Sequence, residues 1–418
     1  MKDLSLYIHI PFCVRKCLYC DFLSFPVSVD GTHGCRQQKV TASCGNIYDD
    51  PVQERLISYV NQLRKEIKSL AGLYNEYQVL SIFLGGGTPS LLPIKEVSRI
   101  METIHKHYRI SEDAEITIEM NPETASDDKL REYITSGINR ISIGLQSTDD
   151  GELARIGRIH DYETFLRAYE LTGKAGFHNI NIDLMAALPG QSIASYERTL
   201  KLVAALAPEH ISAYSLILEE GTPMHARQAE YHFPTEDEDR EMYELTGEYL
   251  ASCGYRRYEI SNYALDGCEC RHNKVYWQRG NYVGFGLGAS SMVENVRWTN
   301  PADIEQYRNY VARLSAYGSN ADGDATCGQA ESDYTVNRQQ LTVHEQMEEY
   351  MFLGLRMMCG VSMRRFADEF GQQMMTVYGE VIERMCRQGL LELKEDCIRL
   401  TGRGIDVSNY VMAQFLFD

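Results

Sequence analysis

No stretch of the chain approaches the roughly 18 consecutive apolar residues that a membrane-crossing helix needs, so no such span is expected. Positive charge is short as well. There are 41 lysines and arginines against 59 aspartates and glutamates, for a net charge of -18 and a pI near 5.1. A surface of that sign repels phosphate backbones and argues against nucleic-acid binding. The N-terminus lacks a signal-peptide pattern, because Met1-Lys2-Asp3-Leu4-Ser5 leads straight into strand-like sequence. Cysteine, in contrast, is plentiful at 12 residues. Without a secretory signal, so many cysteines imply free thiols in a reducing compartment, the cytoplasm. Cys253, Cys327, Cys359, Cys386 and Cys397 are scattered and fit that expectation.

Three cysteines are not scattered. Cys13, Cys17 and Cys20 form a C-x3-C-x2-C run directly after the apolar segment Leu4 to Ile10. Three thiolates on one short loop can hold three irons of a [4Fe-4S] cluster and leave the fourth open to an exogenous ligand. A closed zinc site is the competing reading, but it needs a fourth Cys or His nearby. His9 sits within the expected strand and is poorly placed to serve.

At 418 residues, and roughly 150 per domain, two or three domains are expected. The first half alternates short apolar runs with amphipathic stretches. The runs are Leu4 to Ile10, Val79 to Leu84, Glu115 to Met120, Arg140 to Leu145, Asn179 to Met185 and His210 to Leu218. The helical patterns between them include Gln53 to Leu70, Ile94 to His107, Asp127 to Ser136, Tyr162 to Ala175 and Ser195 to Ala207. Six β/α units in series predict a parallel sheet, either open or a partial barrel, whose working edge is the C-terminal end of its strands. The distinctive polar residues fall at that edge. They are the cysteine loop, Gly85-Gly86-Gly87-Thr88-Pro89, Glu119, Gln146 and Asp183. The glycine run is neither a Walker A loop nor a dinucleotide fingerprint. It lets the backbone approach a ligand closely, and beside an open iron that ligand is expected to be a chelating amino acid.

Beyond about Gly221 the pattern changes. Glu236 to Leu250 reads as an acidic helix, Tyr282 to Ala289 as a glycine-rich strand and Pro301 to Leu314 as a helix. Tyr317 to Asp333 reads as a surface linker. The last part reads as helices over His344 to Met358, Ser362 to Phe370 and Thr376 to Gln388. A hairpin of Leu390 to Leu393 with Cys397 to Leu400 and a final helix follow, which together suggest a winged-helix-like domain. Glu345, Glu348, Glu349, Asp368, Glu369, Glu380 and Glu383 make it acidic, so a packing or lid module is expected rather than a DNA binder. The expected division is residues 1–225, 226–335 and 336–418. Val27 to Asp50 reads as an insertion and a surface loop. It carries His33, Cys35 and Cys44, for which a second metal site is the alternative.

C-x3-C-x2-C after the first strand with Gly-Gly-Gly-Thr-Pro after the second resembles the radical S-adenosylmethionine (radical SAM) superfamily. That resemblance implies a partial (β/α)6 barrel, a [4Fe-4S] cluster on Cys13, Cys17 and Cys20, and SAM on its open iron. Tyr7-Ile8-His9-Ile10-Pro11-Phe12-Cys13 resembles the oxygen-independent coproporphyrinogen III oxidase branch. The resemblance implies SAM contacts at Tyr7, Tyr19, Gly86, Gly87, Thr88, Glu119, Gln146, Arg158 and Asp183, and an electron donor for the cluster. Ile217 matches an apolar contact only weakly. The oxidases continue their motif to a further cysteine, whereas this chain has Cys20-Asp21-Phe22, and it lacks their N-terminal extension. Both traits, and His272-Asn273-Lys274-Val275-Tyr276-Trp277, resemble the heme-chaperone (HemW) subfamily, as do Glu349 to Gly360 and Leu400 to Asn409. That implies heme and a heme-acceptor protein as partners. His272 is the candidate axial ligand, with Tyr276 and Trp277 placed to stack on a macrocycle. Cys268 and Cys270 are the alternative ligands. The competing functions are a coproporphyrinogen III oxidase and a zinc-stabilised scaffold.

Overall fold

The alternation of apolar and polar residues in the six runs becomes a sheet with two unlike faces. In the computed structural model, which describes residues 1–27, 50–318 and 336–417, the runs form strands Lys2–Ile10, Tyr77–Gly86, Ile110–Met120, Arg140–Gln146, Ile180–Ala186 and His210–Ser215. They pair in that order, all parallel. Helices Asp50–Leu70, Ile94–His107, Asp127–Thr135, Tyr162–Ala175 and Ile193–Ala205 cross between them. This is the partial barrel expected from the six units. The insertion around His33, Cys35 and Cys44, and nearly all of the linker with Cys327, lie outside the described residues.

Period-two patterning separates the two faces. Leu4, Leu6, Ile8 and Ile10 of the first strand are fully buried in the main core. Leu56, Tyr59, Val60, Leu63 and Ile67 of the first helix belong to the same core. Ser5, Tyr7 and His9 alternate with them and face the inside of the barrel. The same parity puts Ser81 and Phe83, Glu115 and Glu119, Arg140 and Ser142, Asn181 and Asp183, and His210 and Ser212 inside. The interior of this barrel is therefore largely polar.

The glycine-rich stretch contributes strand Tyr282–Phe285, which adds parallel to the outer edge of the first strand. An antiparallel run of Ser290–Val293, Val296–Thr299 and Val336–Gln340 extends that edge. At the far edge Asn262–Ala264 pairs antiparallel with the sixth strand. Arg256–Arg257 pairs antiparallel beyond it, so among the described residues twelve strands form one sheet. Most buried apolar side chains described in the 226–335 stretch, among them Met242, Leu250, Tyr263, Phe285 and Tyr307, join the barrel's own core.

The C-terminal part has a second core built on Met351, Leu355, Phe366, Tyr378, Ile382, Ile398 and Phe415. Helices Val343–Gly354, Met363–Phe370 and Met374–Arg387 pack over hairpin Leu391–Lys394 and Cys397–Leu400, and Val361–Ser362 adds a third short strand. The single final helix expected after Thr401 is two short ones, Gly402–Asp406 and Ser408–Ala413. Two of the acids expected on this domain's surface instead hold it to the barrel. Arg279 is nearly inaccessible and pairs with Glu349 at 3.4 Å and Glu369 at 2.8 Å. Glu349 also binds Arg297 at 2.8 Å. Among the described residues no helix is long and apolar enough to cross a membrane.

Removing one member of a buried ionic group strands the others without charge compensation. Arg279→Ala is therefore expected to cost about 3 kcal/mol. In a chemical denaturation series with hydrogen exchange, residues 343–413 should lose protection ahead of the barrel.

Candidate functional site at the barrel mouth

The cysteine loop leaves the first strand and returns on itself. Cys13 ends a two-residue strand, Phe12–Cys13, that pairs with Phe25–Pro26. Phe25 N–H donates to Pro11 O at 2.8 Å and Val27 N–H to Cys13 O at 2.9 Å, which closes the loop. Three neighbouring segments fix it through main-chain bonds. Gly87 N–H donates to Ile10 O at 2.8 Å, and Thr88 N–H to Phe12 O at 2.7 Å. Leu18 N–H donates to Ile156 O at 3.1 Å, while Leu18 O accepts from Met224 N–H at 2.9 Å. The glycines make this approach possible. A Cβ on Gly87 would lie 2.6 Å from Phe12 O, and one on Gly86, at φ +113°, would lie 2.5 Å from the His9 ring.

That contact revises what the glycine run does. Gly86 N–H donates to the Glu119 carboxylate at 3.1 Å, so the amides of Gly86, Gly87 and Thr88 all have protein partners. The turn braces the cysteine loop, and those three amides are not free to receive a ligand.

Cys13 is buried, whereas Cys17 and Cys20 are partly open. Thr88 Oγ1 lies 3.6 Å from the Cys13 sulfur and Arg158 Nη1 lies 3.5 Å from the Cys17 sulfur. Burial pushes the Cys20 thiol up to about 11, and neighbouring Cys17 adds to the rise. Burial also raises Cys13, with Cys17 contributing. Among the described residues, no three Cys, His, Asp or Glu side chains converge on a single ion. Cys17 lies near enough to both Cys13 and Cys20 to raise them, and three sulfurs on one short loop suit a cluster that gives each thiolate its own iron. His9 supplies no fourth ligand. Its Nε2 bonds Leu23 O at 2.9 Å and its Nδ1 bonds the Tyr7 hydroxyl at 3.0 Å.

The residues expected around SAM come together at the same strand ends. Tyr7, Tyr19, Glu119, Arg158 and Asp183 are each partly accessible, yet desolvation is the largest influence on the pKa of every one. Groups that line a concavity behave this way. Burial lifts the Glu119 carboxyl to about 8, and the charge of Asp183 adds to it. Asp183 is raised by burial too, against hydrogen bonds from Asn181 at 2.7 Å and Ser142 at 3.0 Å. Gln146 ends the fourth strand at φ +75°, a left-handed conformation that costs a non-glycine residue energy and marks candidate sites. Sequence reading missed Tyr214, which follows His210 and Ser212 in inward parity. It is 41% exposed, and Asp183 raises its phenol after burial does. The period-two signal that could have found it was there.

His272 is placed otherwise than an open axial ligand requires. Helix Arg271–Trp277 enters the barrel, and His272 is fully buried and stacked on Phe83 at 5.2 Å. Ser81 Oγ donates to Ser5 Oγ at 2.7 Å, so Ser81 can only accept from His272 Nδ1–H, 2.9 Å away. That fixes Nε2 as the acceptor of the Tyr276 hydroxyl at 2.9 Å. Burial and the charge of Arg140 hold the imidazole down to about 3, hence neutral. The Glu115 carboxylate caps the helix, accepting from Arg271 N–H and His272 N–H at 3.0 Å each. Of the alternative ligands, Cys270 is buried against Glu115 at 3.5 Å, and burial raises it to about 12. Cys268 is half-buried.

Two outcomes follow from this geometry. His272→Ala leaves Ser81 and Tyr276 unpaired around a void, and is expected to cost about 3 kcal/mol in denaturant unfolding. Glu119 titrates near 4.5 when unfolded and near 8 when folded. Between these values the folded chain keeps the proton that the unfolded chain has lost, so stability falls as pH rises through the interval. In cluster-free protein, Glu119→Gln should flatten that slope between pH 5 and 8.

Comparison with known proteins agrees with the geometry. Residues 7–203 match the radical SAM superfamily model, and residues 341–407 match the HemN C-terminal domain. The heme chaperone HemW of Bacillus subtilis (strain 168) is 32% identical over 416 residues, 99% of both chains. The heme chaperone HemW of Escherichia coli (strain K12) is 38% identical over 293 residues, covering 70% of this chain and 71% of that one. The structure of the E. coli coproporphyrinogen III oxidase HemN superposes with a TM-score of 0.79 at 22% identity, over 99% of this chain and 90% of that one. At that identity the likeness concerns the fold. Taken with the three-cysteine loop and the six parallel strands that carry it, these matches mean that the chain belongs to the HemW family of the radical SAM superfamily.

Proposed function

We propose that this chain is a heme chaperone that binds heme and passes it to an acceptor protein, with a [4Fe-4S] cluster and SAM in the barrel mouth. The observation that carries the reading is the extent of the relationship. It runs over 99% of the chain with the B. subtilis HemW, not over the barrel alone.

In this reading Cys13, Cys17 and Cys20 hold the cluster. Tyr7, Tyr19, Gly86, Gly87, Thr88, Glu119, Gln146, Arg158 and Asp183 surround SAM. A cluster held by Cys13, Cys17 and Cys20 would supply one electron at a time, drawn from a separate donor, and would leave one iron open for the amino-acid end of SAM. The chain's own residues bind and orient. Glu119, kept protonated at neutral pH by burial, can donate a hydrogen bond as well as accept one. The Nε–H of Arg158 is buried without a partner among the described residues, so it is available to a carboxylate. Tyr19 offers a flat face beside the cysteines. The cytoplasm is the proposed compartment. Axial ligation through Nε2 of His272 requires Tyr276 to give up its bond first, while Nδ1–H can stay on Ser81.

Hemin titrated into anaerobically reconstituted protein should give a Soret shift that saturates near equimolar heme, followed by transfer to an apo-acceptor. An absence of saturable binding, with protoporphyrinogen formed from coproporphyrinogen III under reduction with SAM, would replace the chaperone by the oxidase.

A further inference from the structure

Arg158 commits two of its three nitrogens to protein partners. Nη1 points at the Cys17 sulfur at 3.5 Å, and Nη2 donates to the Gly144 carbonyl at 2.5 Å. The Nε–H has no partner among the described residues. The side chain is held in this pose from two directions. Gly144 in the fourth strand must lack a side chain, since a Cβ there would lie 2.5 Å from Nη2. The turn that carries Arg158 is tied to the cysteine loop, because Leu18 N–H donates to Ile156 O and Arg15 Nη2 to Gly157 O at 2.8 Å. The guanidinium therefore keeps a fixed position relative to Cys17.

We propose that Arg158 is a positioning residue for the cluster, holding the Cys17 sulfur through Nη1 and raising the reduction potential of a [4Fe-4S] cluster bound there. Reduction adds negative charge to the cluster, and hydrogen bonds to its sulfurs favour the more negative form. The planar guanidinium is rigid, so a carboxylate taken by Nε–H acts on the same fork that holds Cys17. Ligand occupancy and cluster potential are then linked, each shifting the other equally in free energy. The inference rests on the assignment of the cluster to Cys13, Cys17 and Cys20.

The test is an EPR-monitored redox titration of the reconstituted full chain without SAM, with iron and sulfide measured on each sample. Arg158→Gln with wild-type iron and sulfide should lower the reduced-to-oxidised ratio about tenfold at the wild-type midpoint, which is 59 mV for a one-electron couple. Arg158→Lys keeps the charge but loses the fork, and its shift should be smaller. If Arg158→Gln assembles no cluster, Gly144→Ala is the reporter. It retains the arginine but crowds Nη2, and its midpoint should fall as well. A wild-type midpoint in assembled Arg158→Gln, or in Gly144→Ala when that variant alone assembles, overturns the proposal. Wild-type protein without iron and sulfide overturns the cluster assignment itself, and this inference with it.

Discussion

The structure depends on the contact between the Gly86-Gly87-Thr88 turn and the backbone of Ile10 and Phe12. Two amides of the second strand's exit bond two carbonyls of the first strand's exit. Gly87 can lie there only because it carries no Cβ. This contact sets where Cys13 stands, and the loop then returns to pair Phe12 with Phe25 and Cys13 with Pro26. The same turn gives Thr88 its place beside the Cys13 sulfur and aims Gly86 N–H at Glu119. The cysteine loop and the first carboxylate of the mouth are thus located by one set of main-chain bonds. Such bonds do not depend on side-chain rotamers, and this precision suits a site whose ligands must match the spacing of several metal ions.

The second constraint is the polar interior. Closed barrels commonly fill themselves with branched aliphatic side chains. Here the inward positions carry Ser5, Ser81, Glu115, Arg140, Asn181 and His210, nearly all fully buried. Buried polar groups are tolerable when each finds a partner, and these largely do. His210 bonds Asn181 and Tyr258, Asn181 bonds Ser142 and Asp183, and Glu115 takes the start of helix Arg271–Trp277. The low dielectric that strengthens this network also raises Asp183 and lifts Glu119 to about 8, so the Glu119 carboxyl keeps its proton at neutral pH.

Much of this was legible in the sequence because barrels repeat. The crossover helices Ile94–His107 and Tyr162–Ala175 carry full apolar stripes, and their predicted ends coincide with the observed ones. Cys13, Glu119, Gln146 and Asp183 were findable because they interrupt or end apolar runs at one edge. What stayed hidden depends on long-range pairing. Strands Ser290–Val293 and Val296–Thr299 are four residues each and owe their existence to the edge they extend. Glu349 and Glu369 look like solvated charges in sequence, and only the fold brings Arg279 to them. That the amides of the glycine run face Ile10, Phe12 and Glu119 stayed hidden because nothing local in the run shows it.

The helix carrying His272 shows what neighbours in sequence do not reveal. His272 beside Tyr276 and Trp277 reads as an axial ligand with two rings placed to stack on a macrocycle. In the fold the three residues point to different tasks. His272 and Tyr276 bond each other inside the barrel, while Trp277 lies under the Arg356 guanidinium at 4.2 Å, on the side of the C-terminal domain. Arg356 in turn reaches buried Glu259, and Arg365 holds the carbonyl of Gln278. One seven-residue helix therefore ties the barrel interior to the second core. Ser81 and the Glu115 cap hold the His272 end of that helix, while Arg365 and the Arg356–Trp277 stack hold its far end. A displacement of the whole helix that exposed His272 would therefore also loosen the seat of the C-terminal domain on the barrel.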